Sequence, residues 1–138
     1  MKQKVRILNI NPCGCDAEGK ITLTLLASGI EIICDYQGSD QHVYECFSIG
    51  EETEADISLW LDKVDITEQR SLSIKALPGD AYEVIGRYKG TCEYDGSQYY
   101  IVDSLIELRT TNEFNDDRKP AETGEWVSAV GLFYIELL

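Results

Sequence analysis

Alternation is the feature that most constrains this chain. In residues 20–27, Ile21, Leu23 and Leu25 alternate with Thr22 and Thr24; residues 4–10 repeat the pattern with Val5, Ile7 and Asn9, and residues 71–77 with Leu72, Ile74 and Ala76. A period of two puts every second side chain on the same face of an extended strand, so each run reads as a half-buried β-strand. The stretch NPCGCDAEGK, residues 11–20, separates the first two runs. Asn11, Pro12, Gly14, Asp16 and Gly19 are the residues a chain uses to leave one strand and enter the next. Ser28 and Gly29 then turn the chain into residues 30–36, which completes a three-stranded meander.

After the loop QGSDQ, residues 42–49 are expected to form a fourth strand. The pattern then changes. Ile57, Trp60, Leu61 and Val64 stand at helical spacing behind Glu51, Glu52, Glu54 and Asp56, with Thr53 as a cap, so one short helix is expected near residues 52–64. The competing pattern, a strand through Ile57, Leu59 and Leu61, runs through the same residues. Further on, two β-rich runs flank Asp95-Gly96, a strong hairpin signal, and Gly86 within the first marks a bulge or a close backbone approach. Residues 111–124 are polar and read as a mobile loop. From Trp126 onward the chain is apolar at almost every position, as in a strand buried on both sides or closing a barrel. The expectation is a mainly β chain, a single domain over residues 1–138 built as a small antiparallel β-barrel or a β-sandwich.

The runs YEVIGRYKG and YYIVDSLIEL on either side of that turn resemble the central hairpin of an oligonucleotide/oligosaccharide-binding (OB) fold. The resemblance covers under a quarter of the chain. It implies an OB-like barrel, in which the meander and an intervening helix also have a place. The strand at residues 71–77 and the C-terminal strand have none in the minimal five-stranded pattern. OB-like domains bind single strands through aromatics in a basic groove, which here implicates Arg87, Lys89, Tyr99 and Tyr100.

Charge argues against that use. The net charge is −13 and the pI about 4.3, with the acidity concentrated after residue 40. Such a field repels phosphate backbones and anionic membranes and draws basic proteins inward. No stretch approaches the roughly 20 apolar residues that span a bilayer. Five cysteines, an odd number, do not make a secreted disulfide framework, and a cytoplasmic protein is expected. Cys34 and Cys46 sit in apolar runs and read as packing residues.

Little in the chain looks like chemistry. Cys13 and Cys15 have no second close pair to complete a zinc site, and a disulfide between residues so close is geometrically unfavourable, so they are expected to be passengers of an exposed turn, or else half of a site whose other ligands come from elsewhere. His42 is the single histidine and has no nucleophile turn near it. Phosphate-cradling glycine patterns are missing, and NEFNDD lacks the glycine and closing glutamate of a calcium loop. The expectation is no enzyme, no metal and no cofactor. What remains is an immunity- or inhibitor-like protein that docks a basic partner, with Glu51, Glu52, Glu54, Asp56, Asp116 and Asp117 as steering charges and Trp60, Tyr94 and Trp126 as aromatic anchors. The alternatives are an OB-like module binding single-stranded nucleic acid or a small ligand, and a structural β domain of an assembly.

Overall fold

The alternating runs fold as strands in a computed structural model that describes residues 1–111 and 120–138. Among the described residues the strands are β1 (Lys2–Pro12), β2 (Glu18–Leu25), β3 (Ile30–Gln37), β4 (Glu52–Ile66), β5 (Ser73–Ala76), β6 (Tyr82–Tyr94), β7 (Ser97–Asp103), β8 (Glu107–Thr111) and β9 (Trp126–Ile135). One helix, α1 (Asp40–Cys46), lies between β3 and β4, and Pro78–Asp80 form a single 3-10 turn. All nine strands belong to one hydrogen-bonded sheet, and the chain is mainly β. It divides into two compact units, Met1–Ile57 with Phe133–Leu138, and Ser58–Leu132.

In the first unit, β1, β2 and β3 form the expected antiparallel meander, with Val5 opposite Leu25 and Ile21 opposite Cys34. The start of β4 returns beside β1, pairing Asp56 with Lys2 and Glu52 with Arg6. Four strands in the order β4-β1-β2-β3 make a Greek key. The end of β9 closes the ring: Phe133 pairs with Cys34 of β3, and the Glu136 N–H donates to the Asp56 carbonyl at 3.0 Å. The inward residues Val5, Ile7, Ile21, Leu23, Leu25, Ile32, Cys34, Tyr36, Ile57, Phe133 and Ile135 are fully buried and make the core.

The second unit repeats that pattern with a meander of its own and with the remaining parts of β4 and β9. β6, β7 and β8 form an antiparallel meander, β9 returns beside β6, and β4 closes the ring between β8 and β9. β5 adds a strand outside it, against β6. The β6–β7 turn is where Asp95-Gly96 predicts it, with positive φ at both residues as a type I′ hairpin requires. Gly86 is the site of a close approach: a Cβ there would stand 2.5 Å from the Asp103 carbonyl oxygen. The bulge falls instead between Tyr88 and Gly90.

The folded chain corrects several expectations. The barrel-like rings are not purely antiparallel, because β3 pairs with β9 and β4 with β8 in parallel. No helix forms at 52–64. Both periodicities run through Ile57 and Leu61, and pairing with β1, β8 and β9 selects the strand, whose inward set is Ala55, Ile57, Leu59 and Leu61. The helix is instead α1, which begins in the expected loop and runs through most of the segment expected to be a strand, residues 42–49. Ser39 caps it by accepting from the His42 N–H at 3.1 Å, and Val43, whose carbonyl accepts from the Phe47 N–H, turns inward. Cys46 ends this helix half-buried rather than packing in a strand, and its Sγ lies 3.3 Å from the Leu138 carbonyl.

Cys13 and Cys15 are joined in a disulfide. Gly14, at φ +90°, takes the left-handed conformation that brings the two Cα atoms to 5.6 Å, inside the range a disulfide spans. Cys34, Cys46 and Cys92 are free thiols. Of the expected loop at 111–124, Thr111 belongs to β8, residues 112–119 lie outside the described residues, and the last part is tied to β6 by bonds from the Gly124 N–H to Tyr88 O and from the Tyr88 N–H to Glu125 O. Among the described residues no helix is long and apolar enough to cross a membrane.

Candidate functional site

The first unit holds 11 Asp and Glu against 4 Lys and Arg, so its electrostatics favour cations. How the fold distributes these charges decides what they can do. On the face shared by β1 and β4 the register sets Lys2 opposite Asp56, Lys4 opposite Glu54 and Arg6 opposite Glu52. Directly opposite residues share a face of the sheet, so this is a three-rung ladder of opposite charges. Arg6 and Glu52 form an ion pair, and Asp56 holds the Met1 ammonium at 2.5 Å. Three of the acids expected to steer a partner are therefore partly compensated within their own sheet. Glu51 serves the turn before β4, where its Oε1 accepts from the Ser48 N–H at 2.6 Å.

Beside this ladder lies a cleft of about 300 Å3. α1 supplies His42, Glu45 and Cys46, which stand at i, i+3 and i+4 and so share one helical face. β4 supplies Thr53, Glu54, Ala55 and Asp56, and the chain after β9 supplies Glu136 and Leu138. Phe47 and Ala55, both buried, give it an apolar floor. Among the described residues four carboxylates line the cleft and no lysine or arginine does. Glu45 accepts from the Gln41 amide at 2.9 Å, and neither it nor Glu136 is in an ion pair among the described residues. Burial and then the charge of Glu136 push the Tyr134 phenol above its usual pKa, against a bond with the Gln37 backbone that lowers it. Glu54 and Asp56 were visible in the sequence as part of this site. Glu45 and Glu136 were not, because α1 brings the one to β4 and the closure of the ring by β9 brings the other.

The remaining candidates lie in the second unit. Trp60 lines a shallow groove with Leu61, Asp62, Ala81 and Gly131. Tyr94, at the β6–β7 tip, packs edge-on against Tyr99 at 6.0 Å, with the Arg109 guanidinium 3.8 Å from its ring centre. Arg87 covers the Trp126 ring at 5.3 Å, and Lys89 is exposed. Tyr100 is buried against Tyr88 at 6.0 Å and faces away from Tyr99, so the four-residue ligand site of Arg87, Lys89, Tyr99 and Tyr100 is not assembled. Arg109, buried on β8, is the member of this cluster that sequence reasoning missed. Its neighbours in LRTT give no signal, since stacking on Tyr94 depends on pairing between β7 and β8. Asp116 and Asp117 lie outside the described residues.

No protein-family model, curated protein or solved structure matches this chain significantly.

Proposed function

We propose that the chain is a binding protein that docks a basic protein partner through the cleft of its first unit. The observation that carries this reading is the lining of that cleft: Glu45, Glu54, Asp56 and Glu136 around Phe47, Ala55 and Leu138, with His42 beside them and no lysine or arginine among the described lining residues. A lysine or arginine of the partner has a matching form, an alkyl stem for the apolar floor and a cationic head for the carboxylates. Rim charges of this kind act mainly on association rate and specificity, as an immunity- or inhibitor-like protein needs.

The test uses a lysine-rich peptide as probe. Its affinity is expected to fall on the order of tenfold between low and high salt, and Glu45→Gln with Glu136→Gln is expected to weaken it about fivefold at low salt. Equal binding by the parent and the double variant, or binding indifferent to salt, would remove the cleft from consideration.

A second reading rests on the strand pairing. A meander, a fourth strand returning beside the first and a fifth closing in parallel with the third occur in both units, and α1 stands between the third and fourth strands of the first. This pairing supports the reading of an OB-like module, a fold whose ligands lie on the second and third strands. In the second unit those strands are β7 and β8, which carry Tyr99 and Arg109 beside Tyr94. Titration with a single-stranded oligonucleotide at low salt separates the readings, since docking through the acidic cleft predicts no binding there.

A further inference from the structure

We propose that Cys13 and Cys15 form a thiol–disulfide exchange centre whose preferred substrates are cationic, cysteine-containing peptides. The pair sits at the exposed tip of the β1–β2 turn, with both cysteines and the acids Asp16 and Glu18 open to solvent. It is not a staple. The entropy a disulfide removes from the unfolded chain grows with the loop it closes, and this one encloses only Gly14. The turn is held independently by the Cys13 N–H bonding Glu18 O at 3.1 Å, the Gly38 N–H bonding Ala17 O at 2.8 Å, and the Asp40 N–H bonding the Asp16 carboxylate at 2.8 Å. Opening the bridge therefore leaves the turn in place and the two sulfurs near each other, ready to close again. An exposed disulfide with little structural duty belongs to the labile, exchanging class.

The geometry makes the two sulfurs unequal. The Cys15 N–H points at the Cys13 sulfur at 3.2 Å, a bond that favours a thiolate there. Cys13 is thus the better leaving group. A thiolate of the incoming peptide attacks Sγ of Cys15; the Cys13–Cys15 bond breaks, and its electron pair leaves on Cys13, which takes up a proton. The mixed disulfide between the peptide and Cys15 is resolved when the peptide's second thiolate attacks its own bonded sulfur, expelling the Cys15 thiolate, which is then protonated. The peptide loses two electrons and two protons and gains a disulfide; Cys13 and Cys15 end as two thiols. Selectivity comes from Glu18, whose carboxylate oxygen lies within 4.8 Å of both sulfurs. It opposes an approaching anionic thiolate, and positive side chains flanking the attacking cysteine offset that repulsion.

The experiment uses the full chain, oxidised with glutathione disulfide and desalted, and two reporter peptides that each carry a cysteine pair, one flanked by lysines and one by glutamates. The parent is expected to oxidise about one equivalent of peptide, with the lysine-flanked one reacting at least about threefold faster at low salt and the difference shrinking as salt rises. Glu18→Gln is expected to speed the glutamate-flanked peptide about threefold. Cys13→Ser with Cys15→Ser, whose fold is checked by circular dichroism, is expected to oxidise neither. Oxidation undiminished in that double variant would assign the chemistry to Cys46 or Cys92 and overturn the proposal. Failure of the parent to oxidise either peptide, or equal rates with both, would overturn it as well. Cys34, fully buried and with its thiol pKa pushed far up by that burial and then by Asp35, is expected to resist alkylation until the chain unfolds.

Discussion

Gly131→Ala is expected to destabilise the chain by about 3 kcal/mol or more. The added methyl would run into the Trp60 carbonyl oxygen, and it would stand 2.9 Å from the Trp60 carbonyl carbon and 3.1 Å from the Leu61 Cα. All three are backbone atoms of β4, so no rotamer change relieves the contact. Moving β4 away strains its pairing with β8, where Ser58 faces Arg109 and Leu59 faces Thr110. Elsewhere in a strand, alanine is the better residue, by about 0.5–1 kcal/mol of backbone entropy. The two effects have opposite signs, which makes the variant informative: urea unfolding with a lower midpoint and an unchanged slope supports the close pairing of β9 and β4, and a midpoint at or above that of the parent contradicts it.

Phe133→Ala is expected to cost about 3–5 kcal/mol, a large share of the stability of a small domain. Phe133 is fully buried, on the short stretch of β9 that pairs with Cys34 of β3. That pairing is brief, two residue pairs in parallel, so the ring of the first unit depends more on the side chains beneath it than on backbone bonds. Thermal unfolding followed by near-ultraviolet circular dichroism measures the loss. Phe133→Leu, which keeps most of the buried area, is expected to recover more than half of it.

Much of this fold was legible because its signals are local. Ile21, Leu23 and Leu25 alternate within a few residues, Asp95-Gly96 fits its turn type without help from the rest of the chain, and the apolar run after Trp126 marks β9. What was hidden depends on pairing over long distances. Ile57 and Leu61 suit a helix and a strand equally, and only β1, β8 and β9 decide between them. The helix α1 was missed because its signal is short, a Ser39 cap and the Val43–Phe47 spacing inside a segment whose composition also fits a strand.

The candidate site was harder to see for the same reason. Nothing near Glu52, Glu54 or Asp56 in sequence announces that Arg6, Lys4 and Lys2 stand opposite them. Glu136 joins Glu54 and Asp56 only through ring closure, and Glu45 only because α1 turns that face toward them. Tyr99 and Tyr100 are neighbours in a strand, so alternation alone forbids both from serving one surface. The Cys13–Cys15 bridge needed the left-handed Gly14, and a glycine between two cysteines was the available sign.

The central claim is that a basic partner enters the cleft between α1, β4 and the chain after β9. Amide chemical-shift mapping with the lysine-rich peptide tests it most directly. The predicted result is a set of perturbations confined to residues 42–56 and 134–138 that fades with added salt and is lost in the Glu45→Gln, Glu136→Gln variant. Perturbations centred on the β6–β7 tip around Tyr94 and Tyr99, or the same shifts in parent and variant, would contradict it.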